Sequence, residues 1–395
     1  MADKSLPKKI INKGRKILSK IVPYNIKYKP VGIVNVSKNS TVDDIEFLEI
    51  NPPSSLTLDL TEAFIKDCTP YLKPIMTINY PGDFIIGIPG GRVYSYDAAN
   101  MAVISNANNL IEQVSFQWSN DTVLSAEHNI LFRENMFLTP KQYKGNVFSM
   151  LAGGGAITYY YHWLFDAMPK LGLLKKAGLF DQIDYFLVPN YIYKYQKEYL
   201  DYFGIPASKV INAELEKHIQ ADKLYVASYV QVDDHHPKWT LDFLYNSLIK
   251  SPKKSGRDKR IYIARGDAAV NRKVINEAKL IKMLKKYDFE IQYLSELSVV
   301  DQAKLFNAAS VVVGAHGAGL SNLAYCEPGT KVLEFFPDQY VRHLFYDICN
   351  KRGVKYDYVL CSSEGIATNA SDGQKISLIA NVDAIEKKLK SLLGS

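Results

Sequence analysis

The sequence is short of cysteine, and this shortage excludes two classes of protein. Four cysteines occur in 395 residues, and none belongs to a C-x-x-C pair. A chain of this length with so few cysteines is neither a disulfide-stapled domain nor a zinc-ribbon protein. We interpret the four as free thiols in a reducing compartment. Internal repeats and low-complexity tracts are also lacking.

Outside its first 22 residues the chain has almost no excess charge. The net charge is +7, and residues 1–22 carry nearly all of it, with seven basic residues against Asp3. A nucleic-acid-binding protein usually spreads its basic residues over a folded face, so that class is disfavoured. The seven are Lys4, Lys8, Lys9, Lys13, Arg15, Lys16 and Lys20.

Residues 1–23 form a basic amphipathic pattern. Ile10, Ile17 and Ile21 recur at near-helical spacing, and lysines fill the opposite side. Through residues 4–22 such a segment can lie on an anionic membrane surface, and a solvated tail is the alternative. It lacks the continuous apolar core of a signal peptide or a spanning helix.

The rest of the chain predicts two α/β domains, and its length and 47% apolar content suffice for two cores. Residues 24–252 form the first, with an irregular β-rich start. A polar stretch near residues 253–259 is the predicted linker. Strand–helix alternation over 259–380 predicts a doubly wound sheet with its ligand at the carboxyl ends of the strands. The helix within 381–395 can cross back to the first domain.

The most informative stretch runs from Ser310 to Pro337. Its apolar run Val311–Val313 predicts a buried strand, and Gly317 and Gly319 follow closely. The chain then turns into a helix near Leu320. Such a turn presents N–H groups and the positive end of a helix dipole, which suits a phosphate or diphosphate.

Four residues around this stretch are candidate ligands of a nucleotide. Arg265 follows the first strand of the second predicted domain, and Arg272 precedes the next helix. Both can clamp a diphosphate, although Arg265 can instead form a surface ion pair. His316 can donate to a phosphate or cap the helix. Glu334, near a strand end, can accept from ribose hydroxyls or form an interdomain ion pair.

His162 and Asp166 lie four residues apart on a predicted helix and share one face. The carboxylate can take a proton from an acceptor hydroxyl while the histidine orients or shares it. A hydrogen-bonded core pair is the alternative, and spacing alone favours it. The run DDHH at 233–236 suggests metal ligands, but adjacent residues do not converge easily on one ion, so we favour an acceptor loop.

Three blocks together resemble family 61 glycosyltransferases, which include bacterial capsular polysaccharide biosynthesis proteins. They are YYYHWLFDAMPKLGLL at 159–174, YIARGDAAVNRKVINE at 262–277 and LFNAASVVVGAHGAGLSNLAYCEPGTKVLEFFP at 305–337. Their order and spacing match over roughly residues 150–340. The region before about residue 130 shows no match.

The resemblance implies a GT-B fold, in which two Rossmann-like domains face a cleft and the second holds the nucleotide sugar. It implies an inverting reaction without an obligatory metal-binding D-x-D motif. No metal or cofactor is therefore expected, and the nucleotide sugar is a substrate. Carried over onto this sequence, it places Arg265 and Arg272 at the diphosphate and Glu334 at the ribose. Around the nucleotide it places His316, Gly317, Ala318, Gly319, Leu320 and Ser321.

From the first domain the resemblance implies His162 and Asp166 as catalytic residues. We expect Asp166 to act as the base, directly or through His162, although the family often has the longer glutamate there. Arginines and helix N–H groups would supply the positive charge that the departing diphosphate requires.

The predicted function is therefore transfer of a sugar from a nucleotide sugar, UDP-linked by family frequency, to a hydroxyl of a surface glycan, a capsular glycan or a lipid-linked acceptor. A cytoplasmic location at the inner membrane face is expected, without nucleic acid as a partner. One alternative is a non-catalytic nucleotide-sugar-binding protein. The other, a dinucleotide-dependent oxidoreductase, is disfavoured because the glycine turn follows the third strand and its G-A-H-G-A-G order differs from G-x-G-x-x-G.

Overall fold

A computed structural model describes residues 24–119, 122–252, 256–266 and 272–394. The predicted amphipathic segment, residues 1–23, lies outside them. The described chain divides into two compact units, one with residues 24–52 and 82–229, the other with residues 53–81 and 230–394. Among these residues, no helix is both long and apolar enough to cross a membrane.

Both units are built from strands and short helices. In chain order the strands are β1 (Gly32–Val34), β2 (Glu46–Asn51), β3 (Ser54–Thr57), β4 (Thr77–Tyr80), β5 (Asp83–Pro89), β6 (Arg92–Asp97), β7 (Asn100–Ile104), β8 (Asn109–Ile111), β9 (Phe116–Ser119), β10 (Thr122–Val123), β11 (Lys141–Ser149), β12 (Tyr185–Val188), β13 (Val210–Asn212), β14 (His218–Ala227), β15 (Lys259–Ile263), β16 (Phe289–Gln292), β17 (Ala309–Ala315), β18 (Lys331–Pro337), β19 (Lys355–Ser363) and β20 (Leu378–Ile379). The α-helices are α1 (Glu62–Asp67), α2 (Gly155–Thr158), α3 (Tyr160–His162), α4 (Met168–Lys176), α5 (Lys194–Tyr202), α6 (Lys238–Leu248), α7 (Glu277–Leu284), α8 (Val299–Ala308), α9 (Leu344–Arg352), α10 (Ala370–Gly373) and α11 (Val382–Leu393).

The first unit is organised by one mixed sheet of twelve strands. Its main path runs β1-β8-β7-β6-β14-β11-β12-β13. Strand β14 pairs in parallel with β11 but antiparallel with β5 and β6. The β-rich start of the chain and the later α/β part therefore share one sheet. Both faces of β5 are covered, since Ile85, Ile86 and Ile88 are fully buried.

The second unit has a six-stranded sheet in the order β16-β15-β17-β18-β19-β20. Strands β15 to β19 are parallel, and β20 runs antiparallel to β19. The chain passes from β15 to β16 on one side and then returns to β17 on the other. Ligands of such sheets bind outside the carboxyl ends of the strands at this switch point, here between β15 and β17.

Helices cover both faces of the second sheet. On one face, Val311 and Val313 of β17 share a buried core with residues of α7 and α11. On the other face, Leu320 of a 3₁₀ helix, Ala318–Tyr325, lies against Gly314. That 3₁₀ helix packs in turn on α6, α8 and α9. The uninterrupted apolar run of β17 is explained by this two-sided burial.

The units differ from the predicted domains at residues 53–81 and 230–252. Both stretches fall within the predicted first domain, 24–252, but belong to the second unit. The physical reason is packing, because Phe64 of α1 lies in a buried cluster with Phe336 and Val341. Helix α6 likewise packs on the 3₁₀ helix that follows β17.

Helix α11 does not follow the predicted path back to the first domain. It packs on α7, β18 and β19 within the second unit. Ile385 and Leu389 are fully buried there, in the same core as Val313. The second unit therefore extends beyond the predicted range 259–380 at both ends.

Candidate functional site

The glycine turn lies at the switch point of the second unit. It follows β17, and the N–H of His316 donates to the carbonyl oxygen of Phe335 at 3.0 Å, which fixes the turn to β18. The N–H of Leu320 donates to the carbonyl oxygen of Gly317 at 2.9 Å and opens the 3₁₀ helix. The predicted helix is thus present, wound more tightly than an α-helix.

Arg265 lies directly against the backbone of this turn. A Cβ atom on Gly317 would stand 2.3 Å from Nη1 of Arg265, closer than any real contact allows. Gly317 is extended, with φ of 167°, so an alanine there would not strain the backbone but would displace the Arg265 guanidinium. The N–H of Arg265 is held by Oε1 of Glu277 at 2.9 Å. The guanidinium is thereby placed across the turn.

Arg272 lies beside Arg265 at the same sheet edge. The Nε of Arg265 donates to the carbonyl oxygen of Arg272 at 3.2 Å. The guanidinium carbon of Arg272 is 5.9 Å from the ring centre of Tyr340, within cation–π range. Burial, and next the charge of Arg272, lower the pKa of Arg265 to about 10. Arg265 therefore remains charged at neutral pH.

His316 and Glu334 form a buried pair near Arg265 and Arg272. Nδ1 of His316 is 2.6 Å from Oε1 of Glu334. The hydroxyl of Tyr356 donates to Oε2 of Glu334 at 2.5 Å. Glu334 is fully buried, and both of its oxygens have partners inside the protein. In this structure the carboxylate therefore orients His316, while its predicted contact with ribose stays a prediction.

Burial, together with the positive charges near it, keeps the imidazole of His316 neutral. Burial lowers its pKa well below the usual range, and Arg272, Arg342 and Arg265 lower it further. Burial also raises the pKa of Glu334 well above its usual range. With Nδ1 engaged by Glu334, Nε2 is the ring nitrogen that can meet a ligand.

Of the remaining predicted residues of the turn, two are partly exposed and two are buried. Ala318 and Gly319 are half-buried, whereas Leu320 and Ser321 are buried. The Leu320 side chain packs beneath the turn and contributes apolar contact. The Oγ of Ser321 is buried without a hydrogen-bond partner in the described chain. Among His316 to Ser321, only Ala318 and Gly319 present part of their surface outward.

The predicted pair in the first unit is also formed. Nδ1 of His162 is 2.7 Å from Oδ2 of Asp166. Asp166 lies on a π-helical turn, Trp163–Ala167, between α3 and α4. There the N–H of Met168 donates to the carbonyl oxygen of Trp163, five residues earlier. Pro169, which has no N–H, follows at once, and π-turns are frequent at functional sites.

Two glycines before this helix, Gly154 and Gly155, stand where a side chain would collide with neighbouring groups. A Cβ atom on Gly155 would lie 2.5 Å from the His162 ring, and one on Gly154 would lie 2.0 Å from the carbonyl oxygen of Ala98. The His162 side chain keeps 35% of its surface exposed, against 9% for Asp166. The pair is therefore open to solvent on the histidine side.

Lys170 is a buried amine that the sequence interpretation missed. It lies four residues beyond Asp166, and its Nζ donates to the carbonyl oxygen of Ala227 at 2.9 Å. Burial lowers its pKa to about 7, while the charges of Asp166 and Asp83 act in the opposite direction. Extending the four-residue spacing of His162 and Asp166 by one step would have found it.

The DDHH run at 233–236 belongs to the second unit and has protein partners. Asp234 meets Arg342, and His235 meets Asp347. Within the described ranges, no three His, Cys, Asp or Glu side chains are grouped so that they could share a metal ion. The four cysteines are buried and free.

Comparison with known proteins identifies the region that holds these sites. Residues 160–333 match the family Glycosyltransferase 61. The chain is similar to a beta-1,2-xylosyltransferase of Oryza sativa subsp. japonica, 39% identical over 62 residues, and to a beta-1,2-xylosyltransferase of Arabidopsis thaliana, 35% identical over 63 residues. Each match covers 16% of this chain and 12% of the relative.

A third relative is an EGF domain-specific O-linked N-acetylglucosamine transferase of Pan troglodytes. It is 31% identical over 90 residues, which are 22% of this chain and 17% of the relative. The chain thus matches less than a fifth of the length of these three relatives. The family match contains His162, Asp166, Arg265 and the whole glycine turn. The similarity to the Glycosyltransferase 61 family thus extends over residues 160–333 of this chain.

Proposed function

We propose that this protein is a glycosyltransferase that uses a nucleotide sugar, UDP-linked, as its donor. The reaction inverts the anomeric carbon and requires no metal. The proposal includes a GT-B organisation, with two Rossmann-like domains facing a cleft, and a hydroxyl of a surface glycan, a capsular glycan or a lipid-linked molecule as the acceptor. It also places the protein in the cytoplasm, at the inner face of the membrane.

One observation carries the proposal, namely the contact of Arg265 with the glycine turn. The Gly317 backbone and the Arg265 guanidinium share the switch point of a parallel sheet, where ligands of such sheets bind. A guanidinium offers a planar set of donors that matches two phosphate oxygens. Arg272 adds a second charge beside it. Together they provide the positive charge that a departing diphosphate needs.

The acceptor requires a base, and the His162–Asp166 pair supports that role. Asp166 accepts from or shares a proton with Nδ1 of His162 at 2.7 Å. The partly exposed imidazole can pass a proton between an acceptor hydroxyl and the carboxylate. Loss of that proton makes the hydroxyl oxygen nucleophilic, so that it displaces the nucleoside diphosphate from the sugar.

The donor-binding part is tested by isothermal titration calorimetry with UDP. We expect binding by the wild type and a loss of about tenfold or more for Arg265→Ala, because charged hydrogen bonds to phosphate are removed. Arg257→Ala is the matched control, since Arg257 bonds Thr330 and Pro328 before the start of β18. Unchanged UDP affinity in Arg265→Ala would refute the assignment of Arg265.

Turnover is tested with a panel of nucleotide sugars that includes xylose and N-acetylglucosamine donors, because the relatives' names contain these sugars. Transfer or slow donor hydrolysis is expected, with equal rates in the presence of EDTA. Donor binding without either reaction would favour a non-catalytic nucleotide-sugar-binding protein. Binding of NAD(P) in place of nucleotide sugars would favour the oxidoreductase alternative.

A further inference from the structure

A second group of polar residues stands at the same sheet edge as the glycine turn. The segment Tyr340–His343 follows β18, the strand next to β17. The ring of Tyr340 is 5.6 Å from that of His316 and 5.9 Å from the guanidinium carbon of Arg272. Tyr340 therefore connects this segment with the residues already placed at the proposed diphosphate site.

Arg342 is held in place by the DDHH run, which the proposed reaction leaves without a role. Its Nη2 donates to Oδ2 of Asp234 at 2.5 Å, and 15% of its side chain remains exposed. Its Nε has no hydrogen-bond partner in the described chain. Nη2 of the guanidinium is thus fixed by a carboxylate, and Nε keeps a donor without a partner in the described chain.

The loop that carries Asp234 is itself strained. Asp233 and Asp234 both have positive φ, 48° and 63°. Left-handed backbone is uncommon for residues other than glycine, and such positions cluster at binding sites. The next residue of the run, His235, anchors this loop through a contact with Asp347. His235 meets Asp347 at 3.2 Å, and Asp347 is bonded by Lys351 at 2.6 Å.

His343 is an unsatisfied buried side chain. It is 4% exposed, and in the described chain neither of its ring nitrogens has a hydrogen-bond partner. Its ring stacks on His235 with centres 4.4 Å apart. Burial, followed by His235 and Arg342, lowers its pKa to about 3, so it is a neutral donor at pH 7. Native proteins rarely leave such groups unpaired unless a ligand or water meets them.

We propose that Arg342 and His343 are further binding residues for the phosphate groups of the nucleotide donor, and that Asp234 positions Arg342 for this contact. The proposal rests on the proposed function and extends the phosphate site from β15 and β17 to the end of β18. Arg342 is also one of the three arginines whose charges lower the pKa of His316. Three guanidinium groups would supply, without a metal ion, the charge that a diphosphate needs.

Calorimetry with inorganic pyrophosphate tests the proposal independently of the base and the sugar. We expect Arg342→Ala to weaken pyrophosphate binding by about tenfold, and His343→Gln to weaken it by a smaller factor. Arg342→Lys, which keeps the charge but loses the planar fork, should fall between. It also replaces the alanine variant if that protein unfolds. Arg257→Ala is again the control and should bind as the wild type does.

The role of Asp234 is tested by introducing Asp234→Asn into the wild type and into Arg342→Ala. Asp234→Asn should lower pyrophosphate affinity in the wild type by several-fold but have no further effect in Arg342→Ala, because it acts through that arginine. A purely structural role would lower the affinity equally in both. Equal losses would therefore overturn the assignment of Asp234.

The outcomes separate this inference from the proposed function. Wild-type affinity in Arg342→Ala, combined with a loss in Arg265→Ala, would overturn the role of Arg342 and leave the proposed function standing. A loss in Arg342→Ala without transfer or hydrolysis of any nucleotide sugar would confirm the anion site and count against the transferase. No pyrophosphate binding by the wild type would overturn both.

Discussion

The His162–Asp166 pair of the first unit and the His316–Glu334 pair of the second have nearly the same geometry. In each, Nδ1 of the histidine meets a carboxylate oxygen, at 2.7 Å and 2.6 Å. Their surroundings differ. The side chain of His162 is 35% exposed, whereas His316 and Glu334 are almost completely buried, with arginines nearby.

This difference assigns different chemistry to the same pair of groups. An exposed imidazole beside a carboxylate can exchange protons with a substrate. A buried imidazole among guanidinium groups stays neutral and can only donate or accept a hydrogen bond. The first pair is therefore suited to proton transfer, and the second to holding a fixed donor beside an anion.

The largest effect is expected for Asp166→Asn, which removes the proposed base. We expect kcat to fall by about 10²- to 10⁴-fold, while pyrophosphate affinity, measured by calorimetry, stays unchanged. Asp222→Asn is the control, because Asp222 is an exposed carboxylate of the same unit that pairs with Lys144 at 3.6 Å. A near-wild-type rate would exclude Asp166 as the base.

The next effect distinguishes the two pairs by stability. Glu334→Gln should lower the free energy of unfolding by about 1–3 kcal/mol, because an amide N–H₂ would face either His316 or the Tyr356 hydroxyl. Asp166→Asn should lower the free energy of unfolding by less, about 1 kcal/mol or below, because the partly exposed His162 can hydrogen-bond to water instead. Urea denaturation measures both. Equal losses of stability in the two variants would contradict the difference in burial between the two pairs.

Gly317→Ala tests whether the turn beside the second pair positions Arg265 for phosphate binding. The new methyl group would stand 2.3 Å from Nη1 of Arg265, so the guanidinium must move. We expect pyrophosphate affinity to fall about tenfold, near 1.4 kcal/mol. In the Arg265→Ala background the same change should have no further effect. A full second loss there would show that the methyl group acts on another part of the turn.

The last prediction concerns Lys170, the buried amine next to the first pair, and the size of its effect depends on pH. Its pKa is about 7 in the folded protein, against ~10.4 in the unfolded chain. Between these values the unfolded chain binds more protons, so the free energy of unfolding rises with pH. The slope is at most about 1.4 kcal/mol per pH unit.

Lys170→Met should lack this rise between pH 7 and pH 9, as measured by urea denaturation at both values. Below pH 7 the folded and unfolded forms are both charged, and the slope from this residue disappears. Identical slopes for wild type and variant between pH 7 and pH 9 would show that the buried amine keeps its proton.

Local patterns in the sequence predicted parts of both units. The apolar run of β17, the strand-end position of Arg265 and the spacing of His162 and Asp166 are short-range signals, and the structure contains each of them. They depend on periodicity and turn residues, which act within a few positions along the chain.

The contacts that the sequence did not predict are long-range. Arg342 meets Asp234 across 108 positions, and Tyr356 meets Glu334 across 22. No local pattern specifies such partners, so the sequence favoured an acceptor loop for the DDHH run and did not identify Arg342 as its partner. The strand-end rule that identified Arg265 would also have identified Arg342, because it follows β18.

The place of Phe64 in the second unit has a practical consequence for dissecting the protein. A fragment cut at the polar linker and containing residues 259–395 would lack α1, and Phe336 and Val341 would lose a buried partner. It would also lack α6, which covers the 3₁₀ helix after the glycine turn. A separately expressed second unit would instead need residues 53–81 supplied in trans, or joined to residues 230–395 by a designed connection.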